Sequence, residues 1–153
     1  MKRQSEKSDM SRAFVRGGGS GGPDPTPILL AAKRNADQVQ AILSAYGLRD
    51  FDLADRNLDA MAGDPLQRNR LAEILPMMLE SISRTADPDQ ALNHWERLFG
   101  SVSRASFLDY LRTWPRMLDL LCVIFGNSDA LAFTLIRDPM LVYWLAEEEG
   151  LSD

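Results

Sequence analysis

Several residue types that often carry chemistry are nearly absent from this chain. Its 153 residues include one cysteine, Cys122, and one histidine, His94. A single cysteine excludes an internal disulfide, which fits a reducing compartment. No apolar run approaches the ~20 residues that a membrane-spanning helix needs. No apolar segment of the kind found in secretory signals follows the charged N-terminus. We therefore expect no membrane segment and a cytoplasmic location.

The chain also has fewer basic than acidic residues. The formal net charge is −5 and the isoelectric point is near 4.9. Residues 1–26 hold five basic and three acidic side chains, so this segment carries +2 and the remainder carries −7. Because a nucleic-acid-binding protein needs a basic face, the acidic body argues against a nucleic-acid partner. The composition, 45% hydrophobic and 25% charged, is that of a globular domain with one core.

The first 26 residues differ from the rest of the chain. They are polar and contain the run GGGSGG at 17–22, followed by Pro23 and Pro25. Such a segment buries too little apolar surface to offset the entropy lost on ordering. The glycine run lacks the preceding strand and the following Lys-Ser/Thr pair of a phosphate-binding loop. We predict a flexible tail over 1–26 and one helical domain over 27–150.

From residue 27 onward, helix-start and helix-stop signals alternate. The expected starts are Thr26-Pro27, Asp52, Asp64-Pro65, Asp87-Pro88, Ser103, Pro115, Ser128 and Asp138-Pro139, and the expected stops are Gly47, Gly63, Gly126 and Gly150. A restart near Asn35 to Asp37, a capping box with Gln90, and a kink or split at Pro76 are also expected. Strand and hairpin signals are lacking. The sequence predicts an all-α fold, an irregular multi-helix bundle rather than a solenoid, because the Asp-Pro pairs have no fixed period.

The rare reactive side chains carry no catalytic signature. A catalytic histidine needs a nucleophile and an orienting group, and His94 has neither nearby in the sequence. We interpret it as a partly exposed histidine on a helix. Cys122 lies in the apolar run LLCVI and is expected to be a buried structural residue. Metal-ligand spacings such as CxxC or HxxxH are absent. The sequence predicts no catalytic, cofactor-binding or metal-binding residue in this chain.

Carboxylates that stand close together in the sequence are candidate metal ligands. Glu147, Glu148 and Glu149 are consecutive, so they fan around a helix end instead of converging on an ion. Polymerase-type nucleotidyltransferases place a Gly-Ser turn before an Asp-x-Asp pair on a strand. Here Gly100-Ser101 is followed by Asp109, but Leu111 takes the place of the second carboxylate. The pairs Asp50/Asp52 and Asp87/Asp89 have the right spacing but stand where helices begin, and we interpret them as caps.

The three tryptophans fall on apolar faces of predicted helices. These residues are Trp95, Trp114 and Trp144. Packing in the core is the expected role of each, because large aromatic side chains dominate the burial of apolar surface. Docking onto a partner domain is the alternative, since aromatic residues are enriched at interfaces.

An ordered series of short motifs runs from Phe51 to Leu145. Its members are GDP at 63–65, LAEILP at 71–76, ADPD at 86–89, AL at 91–92, SRASFL at 103–108, PR at 115–116, LL at 120–121, FGNSDALAFTLIRDP at 125–139 and Leu141. In this order and spacing, they resemble the helical segment that precedes the first nucleotidyltransferase domain of the glutamine synthetase adenylyltransferases. The run at 125–139 is the most specific part of the resemblance.

The resemblance implies a function for the whole enzyme. Members of that family are similar to one another in having two nucleotidyltransferase domains, one attaching AMP from ATP to glutamine synthetase and one removing it by phosphorolysis. It implies Mg²⁺ and ATP as cofactors of the full-length enzyme, and three partners: the following nucleotidyltransferase domain, glutamine synthetase and a nitrogen-signalling protein. The family's Gly-Gly-x-Glu and Ser-Asp-x-Asp metal-binding motifs have no counterpart here, so the chain alone is expected to be inactive.

Two hypotheses follow from this sequence. The first is an N-terminal helical portion of such an enzyme, shortened by a truncated reading frame, a partial gene or deliberate truncation. The second is a free-standing helical module for protein interaction. A large exposed apolar patch on the last helices would favour the first hypothesis, and a closed domain without one would favour the second.

Overall fold

The computed structural model describes residues 22–148, with Glu148 described by its backbone only. The helices in this range are α1 (Pro27–Leu30), α2 (Ala36–Ala45), α3 (Phe51–Ala62), α4 (Pro65–Ser83), α5 (Pro88–Ser101), α6 (Arg104–Thr113), α7 (Pro115–Asn127), α8 (Asp129–Arg137) and α9 (Met140–Glu148). No strand occurs within the described range. The predicted all-α fold is confirmed, and the helices form an irregular bundle.

Most helices begin where local signals predicted. Side-chain oxygens accept a hydrogen bond from a first-turn N–H at five starts, namely Asn35, Asp50, Asp64, Asp87 and Ser128. Each such bond satisfies a backbone donor that the helix itself leaves unpaired. Proline occupies the first position of α1, α4, α5 and α7, where no N–H is needed. The predicted restart near residue 35 is confirmed, with Asn35 as the cap of α2.

Four local expectations need correction. Helix α7 does not stop at Gly126 but runs one residue further, to Asn127. Helix α4 continues through Pro76, so it is not split there, and the kink stays a prediction. Gln90 does not close a capping box, because the backbone N–H of Asp87 donates to the carbonyl of Gly126 instead, at 3.0 Å. In addition, α3 begins at Phe51 with Asp50 as its cap, slightly before the predicted start at Asp52.

Helix α5 lies at the centre of the bundle and packs against α3, α4, α6, α7 and α8. Its buried side chains are Ala91, Leu92, His94, Trp95, Leu98 and Phe99. Trp95 meets rings from two neighbouring helices, Phe107 of α6 at 6.5 Å and Phe125 of α7 at 5.1 Å between centroids. Aromatic side chains bury large areas, so this cluster fixes α5, α6 and α7 around a common core.

The predicted tail and the end of the predicted domain lie largely outside the described range. Residues 1–21 and the expected stop at Gly150 are not within it. Of residues 22–26, Gly22 and Pro25 are buried, and the hydroxyl of Tyr46 donates to the carbonyl of Pro23. The division of the chain at residue 26 stays a prediction. No helix in the described range is both long enough and apolar enough to cross a membrane.

Gly126 permits a close approach between α7 and the turn after α4. A β-carbon at this position would fall on the side chain of Thr85. Gly100, near the end of α5, is exposed and has nothing within 4 Å of the same added atom. Packing therefore requires glycine at position 126, whereas position 100 has room for a larger side chain. The two positions can be compared directly.

We expect Gly126→Ala to destabilise the protein by about 1–3 kcal/mol, because Thr85 and the backbone must shift. Gly100→Ala should instead stabilise it by about 0.5–1 kcal/mol, since alanine loses less conformational freedom in a helix. Urea unfolding of the two variants and the parent chain measures both effects. Equal stabilities for the two variants would contradict the assigned role of Gly126.

Candidate docking surface

His94 is not partly exposed, as the sequence suggested, but fully buried. Its ring packs edge-on against Phe133 of α8, with centroids 5.3 Å apart, and is tilted against Phe125 of α7. The spacing could have shown this, since His94 follows Ala91 by three residues and precedes Leu98 by four on the buried stripe of α5. No solvent reaches the ring, so His94 is not placed to act on a substrate.

His94 joins α5 to the first residue of α8. Its Nε2 lies 3.0 Å from Oδ1 of Asp129, so the ring N–H donates to the carboxylate. Nδ1 is buried and has no hydrogen-bond partner. The His94 hydrogen bond holds the pKa of Asp129 below its usual value, against a smaller opposing effect of burial. The Asp129 side chain stays 60% exposed, so the pair has one buried and one hydrated member.

Further polar side chains extend this contact across the bundle. Asn57 of α3 donates to Asn93 of α5 at 2.7 Å, and Asn93 donates to the side-chain carbonyl of Gln90 at 3.1 Å. The Gln90 amide lies 3.5 Å from Asp129. This chain of hydrogen bonds links α3, α5 and α8. Networks of this kind fix how helices are placed relative to one another.

Cys122 is buried, as predicted. Its thiol lies 3.7 Å from the carbonyl oxygen of Met78 on α4. Burial raises the pKa of the Cys122 thiol to about 12, and the Trp95 indole acts in the opposite direction with a smaller effect. Because the thiolate is the nucleophilic form, this cysteine is inert in the folded protein.

Three of the four paired carboxylates serve as helix caps or backbone acceptors, and Asp52 lies exposed in the first turn of α3. Asp50 caps α3 and Asp87 caps α5. Asp89 accepts the backbone N–H groups of Arg49 and Asp50, at 3.0 and 3.3 Å, and thereby ties the loop before α3 to the start of α5. Across residues 22–148, no three histidine, cysteine or acidic side chains are grouped so as to hold a metal ion.

The Gly-Ser pair and its nearby carboxylate also lie in helices. Gly100 and Ser101 form the end of α5, and Asp109 on α6 pairs with Arg112 at 2.7 Å. Leu111 is buried in the core. These positions therefore lack the turn and strand on which nucleotidyltransferase carboxylates are presented.

The tryptophans occupy three different environments. Trp95 is fully buried and Trp114 is half-buried against the core. Trp144, on α9, is 54% exposed, so its predicted packing in the core is wrong. The alternative of an interface applies to this residue, because an exposed tryptophan is enriched at surfaces that meet a partner.

Trp144 borders an apolar groove of about 200 Å³ between the last three helices. Its apolar lining comes from Ile124 of α7, Leu131 and Leu135 of α8, and Leu141, Trp144 and Leu145 of α9. We call this feature the α7–α9 groove. Thr134 also borders the groove, and its hydroxyl donates to the carbonyl of Ala130 at 3.0 Å. The groove therefore offers apolar contact and no unpaired polar side chain.

Two apolar side chains on α8 and α9 are largely exposed. Leu131 is 54% exposed, and Met140, at the start of α9, is 70% exposed. Helix α9 packs mainly on α8, with one ring contact to α6 between Tyr143 and Tyr110. Yet Met140 to Ala146 are seven consecutive apolar or aromatic residues. A helix that is apolar on all sides is normally buried on all sides, and this run is the sequence signal for the groove.

A second groove lies between α4 and α7, and three of its charged side chains are paired with one another. Arg84 bonds Glu80 at 2.9 Å and lies 3.5 Å from Asp119, whose carboxylate also accepts the Ser81 hydroxyl at 2.6 Å. These contacts bridge the two helices across the groove. The α4–α7 groove is therefore a less suitable docking surface than the α7–α9 groove.

Comparison with curated proteins finds bifunctional glutamine synthetase adenylyltransferase/adenylyl-removing enzymes. The chain is 31% identical over 121 residues to the enzyme of Xanthobacter autotrophicus, a match that covers 74% of this chain and 12% of the relative. It is 32% identical over 118 residues to the Leifsonia xyli enzyme, covering 76% and 12%. It is 29% identical over 134 residues to the Thioalkalivibrio sulfidiphilus enzyme, covering 79% and 13%.

These matches confirm the resemblance noted from the motifs. About three quarters of the chain is similar to one part of this class of enzyme, and the chain spans about an eighth of the length of these relatives. No family model matches the chain, and no solved structure does. The similarity thus applies to a helical region and does not extend over a whole enzyme.

We expect His94→Phe to return the pKa of Asp129 toward its ordinary value, because the hydrogen bond that lowers it is lost. A lowered folded pKa means that the carboxylate favours folding above its unfolded pKa, and that this contribution disappears as the pH falls through the folded pKa. NMR titration of the Asp129 carboxyl in both proteins measures the change. An unaltered midpoint in His94→Phe would show that the ring does not hold the carboxylate.

Cys122 should resist thiol reagents in the folded protein. At mildly alkaline pH, we expect almost no reaction with a colorimetric disulfide reagent, followed by one equivalent released when denaturant is added. The chain has no second cysteine to confuse the count. Fast reaction without denaturant would contradict the burial of this thiol against Met78.

Proposed function

We propose that this chain is a helical docking part of a glutamine synthetase adenylyltransferase, corresponding to the N-terminal helical portion of that enzyme. Its task is to pack against the rest of the polypeptide through the α7–α9 groove and so to help place the first nucleotidyltransferase domain. Binding of ATP and Mg²⁺, AMP transfer to glutamine synthetase and AMP removal belong to domains outside this chain. Glutamine synthetase and a nitrogen-signalling protein are partners of the whole enzyme.

The observation that carries this proposal is the uncovered side of α9. Seven consecutive apolar residues end beside a groove whose lining leaves Leu131 and Trp144 half exposed. Burial of apolar surface is worth roughly 25 cal/mol per Å², so such a surface is stabilised by a partner. The similarity to one region of much longer enzymes supplies the partner, namely the remainder of the same enzyme. A free-standing module has no comparable support, since a closed surface was expected for it.

Grafting tests the proposal. The similar region of the Leifsonia xyli enzyme is replaced by this chain, and incorporation of AMP from ATP into glutamine synthetase is measured with Mg²⁺ present. We expect the graft to be active and this chain alone to transfer no AMP. Leu131→Asp and Trp144→Asp should each reduce the activity of the graft at least about tenfold, because a carboxylate in the groove cannot be buried without a large cost.

Arg97→Asp on α5 is the matched control. Arg97 is exposed, and α5 does not line the groove. This variant should leave the activity of the graft unchanged, and circular dichroism should show that all grafts are folded. The proposal fails if the groove variants are as active as the parent graft, or if the control loses activity to the same extent.

A further inference from the structure

We infer that the occupant of the α7–α9 groove is an amphipathic helix of the adenylyltransferase polypeptide, apolar on one face and carrying lysine or arginine beside Glu147. This inference rests on the proposed function and adds the chemistry of the partner segment. It follows from three features: the absence of free polar groups in the lining, the spacing of the leucines on α8 and α9, and the negative charge at the end of α9.

The absence of free polar groups in the lining selects a helix. Helices α7, α8 and α9 satisfy their interior backbone groups internally, and the Thr134 hydroxyl already donates to Ala130. An extended segment laid on this surface would bury N–H and C=O groups with nothing to pair with. A helix brings its own backbone hydrogen bonds, so it loses none of them on docking.

The ridges beside the groove match a helix in spacing. Leu131 and Leu135 are four residues apart on α8, and Leu141 and Leu145 are four residues apart on α9. Rows of side chains at this interval form the ridges between which the side chains of another helix pack. Apolar residues at intervals of three and four on the partner would fill the space between the two rows.

The charge at the end of α9 selects a basic partner. Glu147 is exposed in the last turn of the helix, and two further glutamates follow it in the sequence. The last turn already carries the partial negative charge of unpaired carbonyl groups, so acidic residues there are unfavourable. A cation on a helix that covers Leu145 would relieve this repulsion. Glu147 follows Trp144 by three residues and Leu145 by two on α9, so one segment can reach both the groove and this charge.

Two synthetic helical peptides test the inference with the full chain. Both carry leucines at the same spacings of three and four, one with lysine and the other with glutamate at the polar positions. Trp144 supplies the signal, because it is 54% exposed while Trp95 is fully buried. We expect the lysine peptide to shift the emission to shorter wavelength and to bind at least about tenfold more tightly than the glutamate peptide. Salt should weaken this binding.

Three variants separate the groove from general attraction to an acidic protein. Leu131→Ser should weaken the lysine peptide about tenfold without changing the net charge. Glu147→Lys should weaken the lysine peptide and strengthen the glutamate peptide. Asp52→Lys, on an exposed part of α3, makes the same change in net charge and should have a much smaller effect.

Several results would overturn the inference. They are equal binding of the two peptides, an unchanged affinity in Leu131→Ser, and equal effects of Glu147→Lys and Asp52→Lys. These outcomes are distinct from failure of the proposed function. If the graft is active but the lysine peptide does not bind, the groove docks on something other than a basic helix. If the peptide binds but the groove variants leave the graft active, the proposed function fails instead.

Discussion

Burial of α5 on nearly every side is the constraint on which the rest of this structure depends. Trp95 has no exposed surface and contacts rings of α5, α6 and α7. Phe99 and Phe107 add a further edge-to-face contact, with centroids 5.7 Å apart. Five other helices take their positions from this one. Helix α9 lies outside that set, as do α1 and α2, and it packs mainly on α8.

Much of the fold was predictable because helix starts are encoded locally. A capping oxygen at Asn35, Asp64 or Ser128 pairs with an N–H two or three residues later, so a short sequence window contains both partners. The same reasoning identified Asp87 as a cap and placed the start of α3 one residue too late, at Asp52 instead of Phe51. Local sequence did not predict helix ends or contacts that depend on a segment far away in the chain. Gly126, where a helix stop was expected, lies inside α7, and its close approach to Thr85 could not be read from a short sequence window.

The environments of single side chains were harder to predict than the helices. His94 follows the buried stripe of α5, yet its polarity suggested exposure, and only the position of Asp129 on α8 shows how burial is tolerated. Trp144 presents the reverse case. Its neighbours are apolar, which suggested a core, but among residues 22–148 α9 packs mainly on α8. An apolar sequence predicts that a surface is buried, but it does not show whether the same chain or a partner buries it.

The similarity to the adenylyltransferases likewise does not show what covers an apolar surface. The identity near 30% extends over a helical region, and in any such region caps and core residues decide whether the helices form and pack. Such similarity by itself would suit any bundle. The α7–α9 groove adds a surface property that a self-sufficient bundle does not need. The α9 part of the apolar lining and the exposed Glu147 both belong to the last two turns of α9. A single basic, amphipathic partner relieves both, and this makes the groove the part of the chain through which function is best sought.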